Sequence, residues 1–79
     1  MSMFHAYVIR SSKGRMYTGH TGNMAQRLSE HNSGMCKTTS IDSNWKIIYS
    51  REFPTRGEAM KHEKWLKTGV GRNAIKKIL

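Results

Sequence analysis

Two runs rich in aromatic and β-branched residues, Phe4–Arg10 and residues 15–19, flank the tetrapeptide Ser11-Ser12-Lys13-Gly14. Runs of that kind on either side of a Ser/Gly turn pair as an antiparallel hairpin, which commits the first part of the chain to a sheet that other elements must cover. Those elements follow in order. Asn23 stands where a helix N-cap belongs, with Gln26 three residues later, and the spacing predicts a helix over 24–32 that stops near Gly34. Residues 34–45 carry Gly, Ser, Thr, Asp and Asn without a period and read as a loop. Residues 45–53 (WKIIYSREF) form a third strand closed by Pro54, and Thr55…Glu58 is a capping box opening a second helix that runs to about Lys67. Ile75, Ile78 and Leu79 fall at helical spacing in a short final helix. The expected fold is α+β: a three-stranded, mainly antiparallel sheet flanked by helices in the order β-β-α-β-α-α.

Seventy-nine residues suffice for one small domain with a modest core. The apolar share of 37% is low, yet it is gathered in periodic blocks, which favours a folded unit over a disordered tail. Fourteen Lys and Arg against five acids give a formal charge of +9, and nucleic acid is the natural partner because neutralised phosphates release counterions. Ordinary surface lysines can also produce such an excess, so charge alone does not settle the partner. Cys36 is alone, which excludes an internal disulfide and a cysteine zinc cluster. No run approaches the roughly 20 apolar residues of a membrane span, and no signal-peptide core is present, so a cytoplasmic location is expected.

Chemistry shows where polar residues interrupt apolar stripes. In the first helix Met24 and Leu28 face inward, and Arg27 and His31, four apart, share one side at the border of that stripe. In the second, Glu63 lies between the inward positions Ala59 and Leu66. A carboxylate there is costly unless it is paired or binds a metal. Periodicity alone favours the plain outcome, an ion pair with Arg27 or a neighbouring lysine.

The same residues carry a family resemblance. His5-Ala6-Tyr7 and, ten residues on, Tyr17-Thr18-Gly19 resemble the two signatures of the GIY-YIG nucleases. The match continues through Arg27, His31, Asn32 and Gly34, through Trp45-Lys46-Ile47-Ile48-Tyr49, and through Ala59, Glu63, Leu66 and Lys67. The chain looks most similar to the short bacterial and archaeal members related to the excinuclease nuclease domain. It departs from the pattern at His5-Ala6, in place of Gly-Ile, and at Thr18, in place of Ile.

The resemblance implies a divalent-metal-dependent endonuclease acting on DNA, more readily than RNA, with Mg²⁺ or Mn²⁺ as cofactor and a protein partner or homodimer conceivable. By the resemblance, Tyr17 takes the proton from water, Arg27 holds non-bridging phosphate oxygens, and Glu63 is the sole protein ligand of the metal. His31 hydrogen-bonds near Tyr17 or relays its proton, and Tyr7 orients phosphate or water. His20 stands where some relatives have a lysine near the phosphate, although an exposed strand-end residue explains it as well. Asn73 matches a late polar residue of the family, and helix capping would explain it equally. Lys37, Lys67 and Arg72 are expected to meet phosphates within a broader footprint of Lys46, Lys61, Lys64, Lys76 and Lys77.

Overall fold

The computed structural model describes residues 3–34, 42 and 44–78; Cys36 and Lys37 lie outside them. Six elements follow one another: β1 (Phe4–Arg10), β2 (Met16–Thr21), α1 (Met24–Asn32), β3 (Lys46–Phe53), α2 (Arg56–Leu66) and α3 (Gly69–Ile78). The strands form one antiparallel sheet in the order β2-β1-β3. The expected α+β architecture is present, and the sheet is wholly antiparallel.

β1 is central because it is apolar on both sides. Ala6, Tyr7, Val8 and Ile9 are all buried, with alternate residues feeding opposite faces. Ala6 and Val8 meet Leu66 of α2 and Ile75 of α3, with Ile48, Tyr49 and Phe53 packed alongside. Tyr7 and Ile9 meet Trp45, Tyr17 and the α1 residues Met24 and Leu28. Thus α1 covers one face of the sheet, and α2 with α3 covers the other. β2 and β3 are the two open edges. A bulge between Val8 and Ile9 moves the β1–β3 register from Tyr49 to Ile47.

The caps are as the sequence suggests: Asn23 accepts from Gln26 N, and Thr55 accepts from Glu58 N. Three boundaries differ. β2 extends to Thr21, because His5 and Ala6 remain paired with Thr21 and His20 beyond Gly19. β3 begins at Lys46, since the Trp45 backbone is clamped at both ends by Asn32, whose Oδ1 accepts at 2.6 Å and whose Nδ2 donates at 3.2 Å. The final helix, marked in the sequence by Ile75 and Ile78, reaches back to Gly69 as α3. It starts straight after the Thr68 hydroxyl, which accepts from Gly71 N at 3.2 Å.

One anchor has no counterpart among the sequence motifs. The Asp42 side chain, 2% exposed, accepts from Ser11 Oγ at 3.0 Å and pairs with Arg15 Nε at 3.1 Å, fastening both ends of the β1–β2 turn. Among the described residues, no helix is long and apolar enough to cross a membrane.

Candidate active site

β2 carries the site because its alternation divides the chemistry between two faces. Tyr17 and Gly19 share the α1 face with Tyr7 and Ile9, whereas Thr18 and His20 belong to the α2 face. On the α1 face, Tyr7 and His31 are wholly buried, and the Tyr7 hydroxyl lies 2.9 Å from His31 Nε2. The His31 ring packs on Tyr17 with centroids 4.9 Å apart, and the two tyrosine rings are 6.3 Å apart. Burial, and secondly the charge of Arg27, push His31 below the ordinary imidazole value, against a smaller opposing pull from Glu30. The imidazole is therefore neutral at pH 7.

Gly19 is the space between the two phenols. A Cβ there would stand 2.8 Å from the Tyr7 hydroxyl oxygen and 3.1 Å from Tyr17 Cε1, closer than packed atoms come. The glycine of the Tyr-Thr-Gly triplet is thus fixed by the two rings that it separates.

On the α2 face, the Glu63 carboxylate is 17% exposed and engaged through both oxygens. His20 Nδ1 lies 2.7 Å from Oε1, and Lys67 Nζ lies 3.0 Å from Oε2. Burial alone would raise the Glu63 pKa; the bonds from His20 and Lys67, together with their charges, outweigh it and hold the group below the ordinary carboxylate value. His20 is therefore a half-buried residue inside β2, not an exposed strand end. The lysine pairing expected of a structural glutamate exists with Lys67, while Arg27 Nη1 pairs with Glu30 at 3.2 Å.

Two hollows are lined by the partners of Glu63. One, of about 360 Å³, is lined by Tyr17, Thr18, Lys67, Arg72 and Lys76 over a floor that includes Val8, Leu66 and Ile75. The other, of about 420 Å³, is lined by His20, Asn23, Gln26, Arg27, Glu30 and Arg56. Lys67 belongs to the first hollow and His20 to the second, and both hold Glu63. Among the described residues, no group of three or more His, Cys, Asp or Glu is arranged to hold a metal. A lone ionised carboxylate fits a hard cation that keeps most of its waters, such as Mg²⁺ or Mn²⁺, better than zinc with its three or four protein ligands.

Comparison with known proteins identifies the family. The profile of the GIY-YIG catalytic domain matches residues 3–76. The chain belongs to the GIY-YIG family. Among its relatives, a UPF0213 protein of Staphylococcus saprophyticus is 30% identical, with 99% of this chain and 96% of that protein covered. A UPF0213 protein of Staphylococcus aureus is 28% identical over the same shares. The solution NMR structure of the UPF0213 protein of Bacillus halodurans superimposes with a TM-score of 0.56 at 25% identity, covering 99% of this chain and 85% of that one.

The remaining GIY-YIG candidates fall in distinct places. Tyr7, expected to orient phosphate or water, is buried with His31 as a hydrogen-bond partner. Arg72 lines the Tyr17 hollow. Asn73 is exposed within α3, five residues from the end of the helix, so capping does not account for it. Lys37 lies outside the described residues. Arg56 and Lys76 carry no site signature in the sequence, yet each lines one of the two hollows. Arg56 has a weak signal, since it occupies the first helical position after the Thr55 cap and so shares the helix N-terminus with Glu58.

Proposed function

We propose that this chain is an endonuclease that hydrolyses DNA phosphodiester bonds with the help of one divalent metal ion. The reading is carried by a single observation: the Glu63 carboxylate is held through one oxygen by Lys67, which lines the cleft containing Tyr17, and through the other by His20, which lines the cleft containing Arg27. Phosphodiester hydrolysis needs a base for water, positive charge on the phosphate oxygens and help for the leaving oxygen.

Tyr17 is the base for the attacking water once its own phenolic proton has passed to solvent, and Lys67 and Arg72 line the same cleft. Arg27 offers its planar fork to the non-bridging oxygens. Tyr7 is a positioning residue: its buried hydroxyl fixes the His31 ring, which braces Tyr17. Lys67 and His20 keep the Glu63 carboxylate ionised and aimed. Bound at Glu63, Mg²⁺ or Mn²⁺ would supply positive charge to the scissile phosphate and the leaving oxygen. Arg56, Arg72, Lys76 and Asn73 meet flanking phosphates, which position a strand without reading its sequence. Residues 1–79 act as one domain in the cytoplasm on branched or damaged DNA, alone or as a homodimer.

Supercoiled plasmid incubated with Mg²⁺ or Mn²⁺ tests this reading. Wild-type protein is expected to nick it, and Glu63→Ala to leave it intact while still retaining DNA at low salt. Tyr17→Phe should slow nicking at least about 100-fold, the scale of a lost general base. Equal nicking by wild type and Glu63→Ala would sink the proposal. No nicking by any form, with retention intact, would leave a basic binding module on the same fold.

A further inference from the structure

α2 has a second flank that the reaction does not use. Tyr49, Arg51 and Phe53 alternate along β3 and point to the α2 side of the sheet, opposite Val8, Ala6 and Phe4. There His62 of α2 stacks on Tyr49, with ring centroids 5.8 Å apart and planes 29° apart. Trp65 stacks on His62 in turn, at 5.3 Å and 20°. The Phe53 ring leans on the same imidazole at 5.2 Å. Tyr49, His62 and Trp65 therefore form a tilted, offset column of rings rooted in the sheet and ending outward in an indole that is 40% exposed.

A hydrogen bond holds the inner part of the column. The Tyr49 hydroxyl lies 2.7 Å from His62 Nε2, which fixes the middle ring. Burial, and then the nearby charge of Arg51, push His62 below the ordinary imidazole value, so the middle ring is neutral at pH 7. The surroundings are basic. The Arg51 guanidinium sits over Phe53 at 5.5 Å, and Lys61 lines an adjoining hollow with Phe53, Pro54, His62 and one acid, Glu58. Lys64 neighbours Trp65 in sequence and is exposed.

We infer that the Tyr49–His62–Trp65 column is a stacking platform for an unpaired nucleobase, with Arg51, Lys61 and Lys64 meeting the phosphates of that single strand. A base has the flat π-face that continues such a column, and the local cations complement a strand's charge. Trp65 follows Glu63 by two residues, which places it on the far flank of the helix. The helix is roughly 10 Å across, about three nucleotides at the ~3.4 Å rise of a stacked strand. A strand cut at Glu63 would then have an unpaired base held about that far away, as at a flap, gap or fork. The inference rests on the proposed function only in taking nucleic acid as the substrate.

The test uses tryptophan fluorescence of the full chain with EDTA at 50 mM salt. Two probes are titrated: a ten-nucleotide oligothymidylate and a ten-unit abasic strand with the same phosphates. Trp45 is only 4% exposed, so quenching reports Trp65. The oligothymidylate should quench and the abasic strand should not. By anisotropy with labelled oligothymidylate, Trp65→Leu should bind about ten-fold more weakly, and Trp65→Phe should remain within about three-fold of wild type. Equal quenching by the two probes would overturn the inference, as would undiminished binding by a folded Trp65→Leu. Should Trp65→Leu fail to fold, the comparison of the two probes on wild type decides alone. Quenching by a wild type that fails to nick plasmid would remove the nuclease reading and keep this one, and nicking without quenching the reverse.

Discussion

His31 shows how one residue ties the site's chemistry to the stability of the fold. It is enclosed by Tyr7, Tyr17 and Trp45, and its pKa lies below that of an unfolded imidazole. The unfolded chain therefore binds this proton more readily, and folding loses stability as pH falls. The contribution is complete above the unfolded value of about 6.5 and declines as pH drops from there through the lower folded value. His62 is displaced in the same direction and adds to the trend. The expected outcome is a melting temperature that falls steadily between pH 7.5 and 5, with a shallower slope for His31→Gln, followed by circular dichroism. A wild-type melting temperature independent of pH over that range would contradict the neutral, buried assignment. Much at this scale is legible in the sequence. Helical spacing puts Arg27 beside His31 and sets Glu63 among inward residues, because periodicity exposes a polar residue in an apolar stripe. Distant partnership is what it does not reveal. The Lys67 pair with Glu63 follows from i,i+4 spacing, but the His20 bond to Glu63 depends on β2 passing beneath α2, and Asp42 reaches Ser11 across 31 residues with no local pattern to announce it.

Among the elements, the junction of α2 and α3 is the tightest. Gly71 is buried, and a Cβ on it would collide with the Trp65 carbonyl and stand 2.6 Å from Leu66 Cα, both backbone atoms that cannot turn aside. α3 can therefore lie against the end of α2 only with glycine at that position, and the same approach buries Leu66 and Ile75 on Val8. Gly71→Ala should separate the two helices and destabilise the protein by roughly 1–3 kcal/mol or more, the scale of an overpacked core. Urea unfolding would measure it, and an unchanged midpoint would refute the contact. The elements themselves are readable from caps and turns: Asn23, Pro54 and Thr55 each mark a boundary that the structure keeps. The sequence marks the final helix only by Ile75, Ile78 and Leu79, and Gly69 and Gly71 are poor helix formers that give its start no local signal. Only tertiary contact shows that Gly71 is required for packing rather than for a turn.

At the scale of the whole molecule, a charge of +9 dominates encounters with polyanions. If Arg27, Arg56, Lys67 and Arg72 each neutralise one phosphate, retention of a linear duplex should weaken about 10²-fold between 50 and 200 mM salt. Filter binding across that range checks the prediction, and a flat response would mean that charge is not the grip. Composition alone reveals this property, whereas the distribution of the charge does not follow from it. The cations divide between two hollows by β2 and the flank of an aromatic column by β3, and only the strand order β2-β1-β3 sends them to opposite edges.

The pairing of Tyr7 with Gly19 has one more consequence. A slip of the hairpin by a single residue would turn one phenol toward α2 and leave the other facing α1, with a side chain instead of a gap between them. The spacing of the two phenols thus depends on backbone pairing as well as on the missing side chain at Gly19. Opening the hairpin would therefore part the two rings along with the strands that carry them.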